Sequence, residues 1–178
     1  MASILQVEQI QGPPTGANAN KVIIPAGQTL DASAGGFTPA AGQIVQCVQQ
    51  YNASNSEIAT TSTSYVASGL KKSITPQYSD SLIIIQSSIS MVDVQTGNWG
   101  KASMYVNGSA MAGSGNYHHG YMESGKAEYA PFIFQGQYQV TSLATLEFEV
   151  YFTSISGGEF KISHNNSSSG VTLWEIKQ

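Results

Sequence analysis

Between Leu146 and Phe152 the chain alternates strictly in character. Leu146, Phe148, Val150 and Phe152 fall on one parity, and Glu147, Glu149 and Tyr151 on the other. A β-strand turns successive side chains to opposite faces, so this period of two defines a strand with one face toward a core. A helix would scatter the same apolar residues around its circumference. From residue 43 onward the rest of the chain reads the same way. Ile44–Gln49 is a candidate strand, and Tyr51–Ser64, rich in Ser, Thr and Asn, starts as a loop. Ser64–Ile74 is a strand, with Pro76 ending it or marking an edge. Ser81–Asp93 opens on Leu82-Ile83-Ile84-Ile85 and then alternates through Ser87, Ile89 and Met91, which predicts a central strand buried on both faces at its start. Lys101–Val106 leads through Asn107-Gly108 into Ser109–Met111. Asn and Gly best tolerate the positive φ of a two-residue hairpin turn. Phe132–Val140, Glu159–His164 after the Gly157-Gly158 turn, and Val171–Ile176 after a polar tract complete the set. We find no helical period of useful length. About eight or nine short strands separated by turn signals predict an all-β fold, an antiparallel β-sandwich of jelly-roll type.

Composition changes near residue 42. The first 42 residues hold four of the six prolines (Pro13, Pro14, Pro25 and Pro39) and a scatter of glycines, so they form no ordinary packed domain. Yet Ile4, Leu5, Val7 and Ile10, then Val22, Ile23 and Ile24, are apolar clusters that about 40 residues cannot readily bury alone. We therefore expect residues 1–42 to be an extended arm for attachment or oligomerisation, packed on sister chains or on another protein, and residues 43–178 to be the sandwich. An arm folded back on its own domain is the other reading.

Charged residues are only 10% of the chain, arginine is absent, and the net charge is −4. Phosphate binding needs clustered cations, so no nucleic-acid partner is expected. No stretch approaches the roughly 20 apolar residues of a membrane helix, so no membrane insertion is expected. Met1–Glu8 has neither the basic start nor the apolar length of a signal peptide. The single cysteine, Cys47, excludes an intrachain disulfide framework, and its neighbours Ile44, Val45 and Val48 predict a small buried hydrophobe.

The stretch Thr60-Thr61-Ser62-Thr63-Ser64-Tyr65-Val66, with Gly69-Leu70, Ser73-Ile74-Thr75-Pro76 and then Ser79, Ser81 and Ile83-Ile84-Ile85, resembles a domain that recurs in tail-fibre and related virion proteins of bacteriophages, many of them infecting marine bacteria and cyanobacteria. Val171-Thr172-Leu173-Trp174-Glu175-Ile176 resembles that family's closing strand, and Ser3–Gln11 its short opening. Val94–Ala130 departs from the pattern, so no receptor is implied. The resemblance implies a homotrimer on the virion surface, assembled in the host cytoplasm, held to other virion proteins by its N-terminal arm and facing outward with its β-domain. It implies adhesion to a host-surface glycan rather than turnover. The competing expectation is a capsid decoration protein, and a more remote one is a polysaccharide depolymerase.

Candidate site residues follow from chemistry. Asn98 and Trp99, with Tyr117, His118, His119 and Tyr121, combine aromatic rings with amides and glycines, a set suited to stacking on sugar rings from loops on a rigid scaffold. Subunit contact and core packing are the alternative readings of this segment. Glu147 and Glu149 share a strand face, and paired carboxylates could serve glycoside hydrolysis, where retaining enzymes hold them about 5 Å apart. They also sit where the wet side of any half-buried strand carries charge, so no catalytic residue is assigned and no enzymatic activity is expected. His118-His119 has the residue type of a metal site, but adjacent side chains diverge in an extended chain and His164 is far away in sequence; a solvated loop is the simpler reading. Neither a metal nor any other cofactor is expected.

Overall fold

A computed structural model describes residues 14–16, 26, 38–52, 57–94, 100–111, 118–120, 129–162 and 169–178. The chain divides into two units, Met1–Thr38 and Pro39–Gln178. The apolar arm residues Ile4, Leu5, Val7, Ile10, Val22, Ile23 and Ile24 lie outside the described residues. The second unit contains eleven strands among the described residues: β1 (Ile44–Asn52), β2 (Ile58–Thr60), β3 (Val66–Ile74), β4 (Leu82–Val94), β5 (Gly100–Val106), β6 (Ser109–Ala110), β7 (His118–Gly120), β8 (Tyr129–Gln139), β9 (Leu146–Ser154), β10 (Phe160–Ile162) and β11 (Ser169–Ile176).

All the pairings are antiparallel and form two sheets. Strands β10 and β11 pair successive parts of one side of β4, while β8 pairs the other side. Strands β1 and β2 in turn flank β11 and β10. The first sheet is thus four rows, β1/β2, β10/β11, β4 and β8. The second is β3, β9, β5 and then β6/β7. Numbered along the chain, the rows run 1-8-3-6 in one sheet and 2-7-4-5 in the other. That is the connectivity of a jelly roll; the alternation and turn signals predicted the antiparallel sandwich but not this strand order.

The parity of each strand decides what is inside. Ile83, Ile85 and Ile89 of β4, Leu173 of β11, Phe148 and Phe152 of β9, Met104 of β5, and Leu70 and Ile74 of β3 are almost fully buried between the sheets. Each such side chain stabilises the fold by about 1.5–3 kcal/mol relative to exposure. The Asn107-Gly108 turn has φ of 48° and 75°, the left-handed pair that a two-residue hairpin requires.

Three expectations are corrected. The start of β4 is not buried on both faces: Leu82 and Ile84 point away from the core and are half exposed. Cys47 is exposed, because the register sets it beside Trp174 on the outer side of the sheet. His118 and His119 belong to a strand rather than a loop, since β7 completes the β5 edge.

The outer face of the first sheet follows from the registers as four cross-strand rows. They are Ile44, Ile176, Leu82 and Gln139; Cys47, Trp174, Ile84 and Gln137; Gln49, Thr172, Gln86 and Gln135; and Tyr51, Gly170, Ser88 and Ile133.

Candidate functional site

The outer face of the second sheet is built by the opposite parity of β9 and β5. Tyr105 stands across from Glu149, and Ser103 from Tyr151, so the two tyrosines are diagonal neighbours. Their rings stack at 3.9 Å between centroids with 14° between planes, and Tyr65 leans on Tyr105 at 5.9 Å. All three are half-buried. Lys101, Lys71 and Glu147 bring charge to the same face.

Glu147 and Glu149 do share this face, and their surroundings give them different tasks. Glu147 pairs with Lys71 at 3.1 Å. That hydrogen bond, reinforced by the charge itself, holds the Lys71 ammonium above the usual lysine range. Glu149 is nearly buried and accepts a hydrogen bond from the Gly69 amide at 2.8 Å. There β3 bulges: its register against β9 shifts between Ala67 and Lys71, and Gly69 adopts φ +74°. An open groove of about 410 Å³ runs past these groups, lined by Gln50, Gly69, Lys71, Lys72, Ser73 and Glu147. The carboxylates are thus occupied in holding the strand pair together.

Of the recognition residues expected from the sequence, His118 and His119 lie among the described residues, in β7 at the far edge of this sheet. β7 pairs β5 with Gly120 opposite Gly100, His119 opposite Lys101 and His118 opposite Ala102. Lys101 is on the outward parity of β5 and Ala102 on the buried one, so the two histidines occupy register positions of opposite faces. Trp99 and Tyr121 are the sequence neighbours of the paired Gly100 and Gly120. Asn98, Trp99, Tyr117 and Tyr121 themselves lie outside the described residues.

Sequence reasoning missed the tyrosine stack and one buried carboxylate. The stack had a signal, since Tyr105 and Tyr151 alternate with the buried residues of their strands. Glu175 had none. It is fully buried and accepts hydrogen bonds from Gln46 Nε2 at 2.6 Å, the Gln77 amide at 2.9 Å, the Tyr78 amide at 3.1 Å and Ser81 Oγ at 2.7 Å. One carboxylate from β11 therefore fastens the β3–β4 turn to β1, through residues far apart in sequence.

Among the described residues no group of three or more His, Cys, Asp or Glu stands ready to hold a metal ion, and none of them forms a helix long and apolar enough to cross a membrane. The chain matches no protein-family model and no curated protein. Its class is set by its own geometry: an all-β antiparallel sandwich with jelly-roll connectivity.

Proposed function

We propose that this chain is a bacteriophage virion surface protein, a short tail or head fibre. It attaches through its N-terminal arm and offers the β5–β7 edge of its jelly roll to a host-surface glycan. The observation that carries the reading is the division of the fold between two kinds of sequence. The residues that resemble the virion-protein domain run through β3, the start of β4 and β11, the frame of the sandwich. The departing segment Val94–Ala130 contributes β5 and, at the edge beyond it, β6 and β7, where recognition can change without disturbing that frame. Adhesion without turnover also accords with the two candidate carboxylates being tied to Lys71 and to a bulge amide. Several identical weak sites on one particle would add avidity through effective concentration.

Replacing Trp99 or Tyr121 by Ala in intact particles should lower adsorption to host cells while the particles keep their normal content of the protein. Undiminished adsorption by both variants would remove the β5–β7 edge from recognition. The second reading is capsid decoration, a role that a small β-sandwich also suits. Antibody-gold labelling against residues 43–178 separates the two: label at tail or projecting tips supports adhesion, and label spread over the capsid face supports decoration.

A further inference from the structure

We infer that the outer face of the β1–β11–β4–β8 sheet is a self-association surface, and that its occupant is the same face of a second copy of this chain. The four rows that make up this face contain no Asp, Glu, Lys or His. The outer face of the other sheet carries Lys71, Lys101, Glu147 and Glu149. Half of the charge-free face is apolar instead, including Trp174 and Ile84 at its centre. It also holds three of the five large apolar side chains most exposed among the described residues: Ile44 at 61%, Tyr51 at 58% and Ile133 at 54%. The row Gln49, Thr172, Gln86 and Gln135 interrupts these groups, so the face mixes exposed apolar and neutral polar side chains, as interaction surfaces do.

Charge returns only at the ends of the sheet. Lys177 pairs with Asp80 beside the β11 terminus, and Lys161 of β10 pairs with Glu57 and Glu159 at the other end. A centre depleted of charge and enriched in aromatic and apolar groups, inside a charged rim, is the anatomy of a protein interface.

The neutral polar groups on the face identify the partner. They are dominated by five glutamines, Gln49, Gln86, Gln135, Gln137 and Gln139, of which Gln49 donates to Tyr51 and Thr172 and Gln139 to the Asp80 and Ser81 carbonyls within the chain. Across a two-fold axis this face would meet its own copy, and residues near the axis would meet themselves. An ionised side chain would there face a like charge, whereas an amide both donates and accepts and can pair with itself. A charge-free, amide-studded apolar sheet is therefore complementary to itself. A phosphate-rich or strongly charged partner would find nothing to pair with.

The only cysteine of the chain, Cys47, stands exposed beside Trp174 on this face and is a built-in probe. For the full chain at micromolar concentration, light scattering should give a multiple of the single-chain mass. Cys47 should then react with maleimide slowly until the protein is denatured. Ile84→Lys should lower the mass of the assembly and leave Cys47 freely reactive, while Ala67→Lys, on the other sheet's outer face, should leave both unchanged. Should Ile84→Lys fail to fold, Gln137→Lys makes the same test from an exposed position. An unchanged mass in the folded face variants, a rapidly reacting Cys47 within the wild-type assembly, or a single-chain wild type would each overturn the inference. Protected Cys47 in a single-chain protein would mean that the chain covers this face itself. None of these outcomes bears on adsorption, so the adhesion reading stands or falls separately.

Discussion

Two buried oxygen-bearing side chains show how differently a polar group can sit in a β-sandwich. Glu175 is fully satisfied: four donors from β1, the β3–β4 turn and Ser81 converge on it. Ser87 lies on the inward parity of β4, and its buried hydroxyl has no hydrogen-bond partner among the described residues. Its neighbours, Ile89, Ala102, Met104, Phe134 and Val150 among them, leave a void of only about 10 Å³. An unpaired buried hydroxyl costs stability, whereas removing the acceptor from a satisfied cluster strands every donor in it. Substitution by Ala should therefore act in opposite directions at the two sites. Glu175→Ala should lose about 3 kcal/mol or more. Ser87→Ala should gain about 1 kcal/mol. Urea unfolding of the two variants beside the parent checks both signs. A stabilised Glu175→Ala would show that the turn holds itself.

Among the elements, β3 depends on its bulge. Gly69 is left-handed at φ +74°, and its amide is the donor to Glu149. A side chain at that φ is strained even though nothing crowds the position. Gly69→Ala should cost about 1–2 kcal/mol in thermal or urea unfolding; an unchanged midpoint would mean that the bulge relocates. The elements also show what a sequence can reveal. Strand β9 was legible because its two parities differ in kind, and the β5–β6 hairpin because Asn107-Gly108 names its turn. Strands β2 and β7 were hidden, since Ile58–Thr60 lies in a Ser/Thr-rich tract and His118–Gly120 carries no apolar parity. Cys47 and the start of β4 were misplaced for one shared reason. An apolar run signals burial on both faces, but the register sets these side chains on the outer face of the first sheet, where among the described residues Cys47 is exposed and Leu82 and Ile84 are half exposed. Glu175 was invisible because its partners meet only after folding. The frame could thus be read from periodicity, while the proposed recognition edge could be read only as a choice of residue types.

At the scale of the molecule, ion pairs sit at the ends and margins of the sheets, and their pH dependence follows from their partners. The Lys177 hydrogen bond holds the Asp80 carboxyl below the usual range. Glu159 and Glu57 raise the Lys161 ammonium, as Glu147 raises that of Lys71. A depressed carboxyl contributes stability that is present above its unfolded pKa and lost as pH falls through the folded one; a raised ammonium contributes below about pH 10.4 and loses it as pH rises through its folded value. These pairs should therefore add a constant amount between about pH 5 and 9. The difference in thermal midpoint between the parent and Asp80→Asn should hold over that window and shrink below about pH 4. A difference that already changes between pH 5 and 7 would assign the effect to another group. The jelly-roll connectivity has a consequence in time as well. Strand β11 is made after all the strands it joins, yet it lies inside its sheet between β1 and β4. Until it leaves the ribosome, β1 has no ladder to enter and β4 waits with one flank open. A nascent chain of this kind cannot finish itself strand by strand, and its most aggregation-prone moment is the interval before the final strand closes both gaps at once.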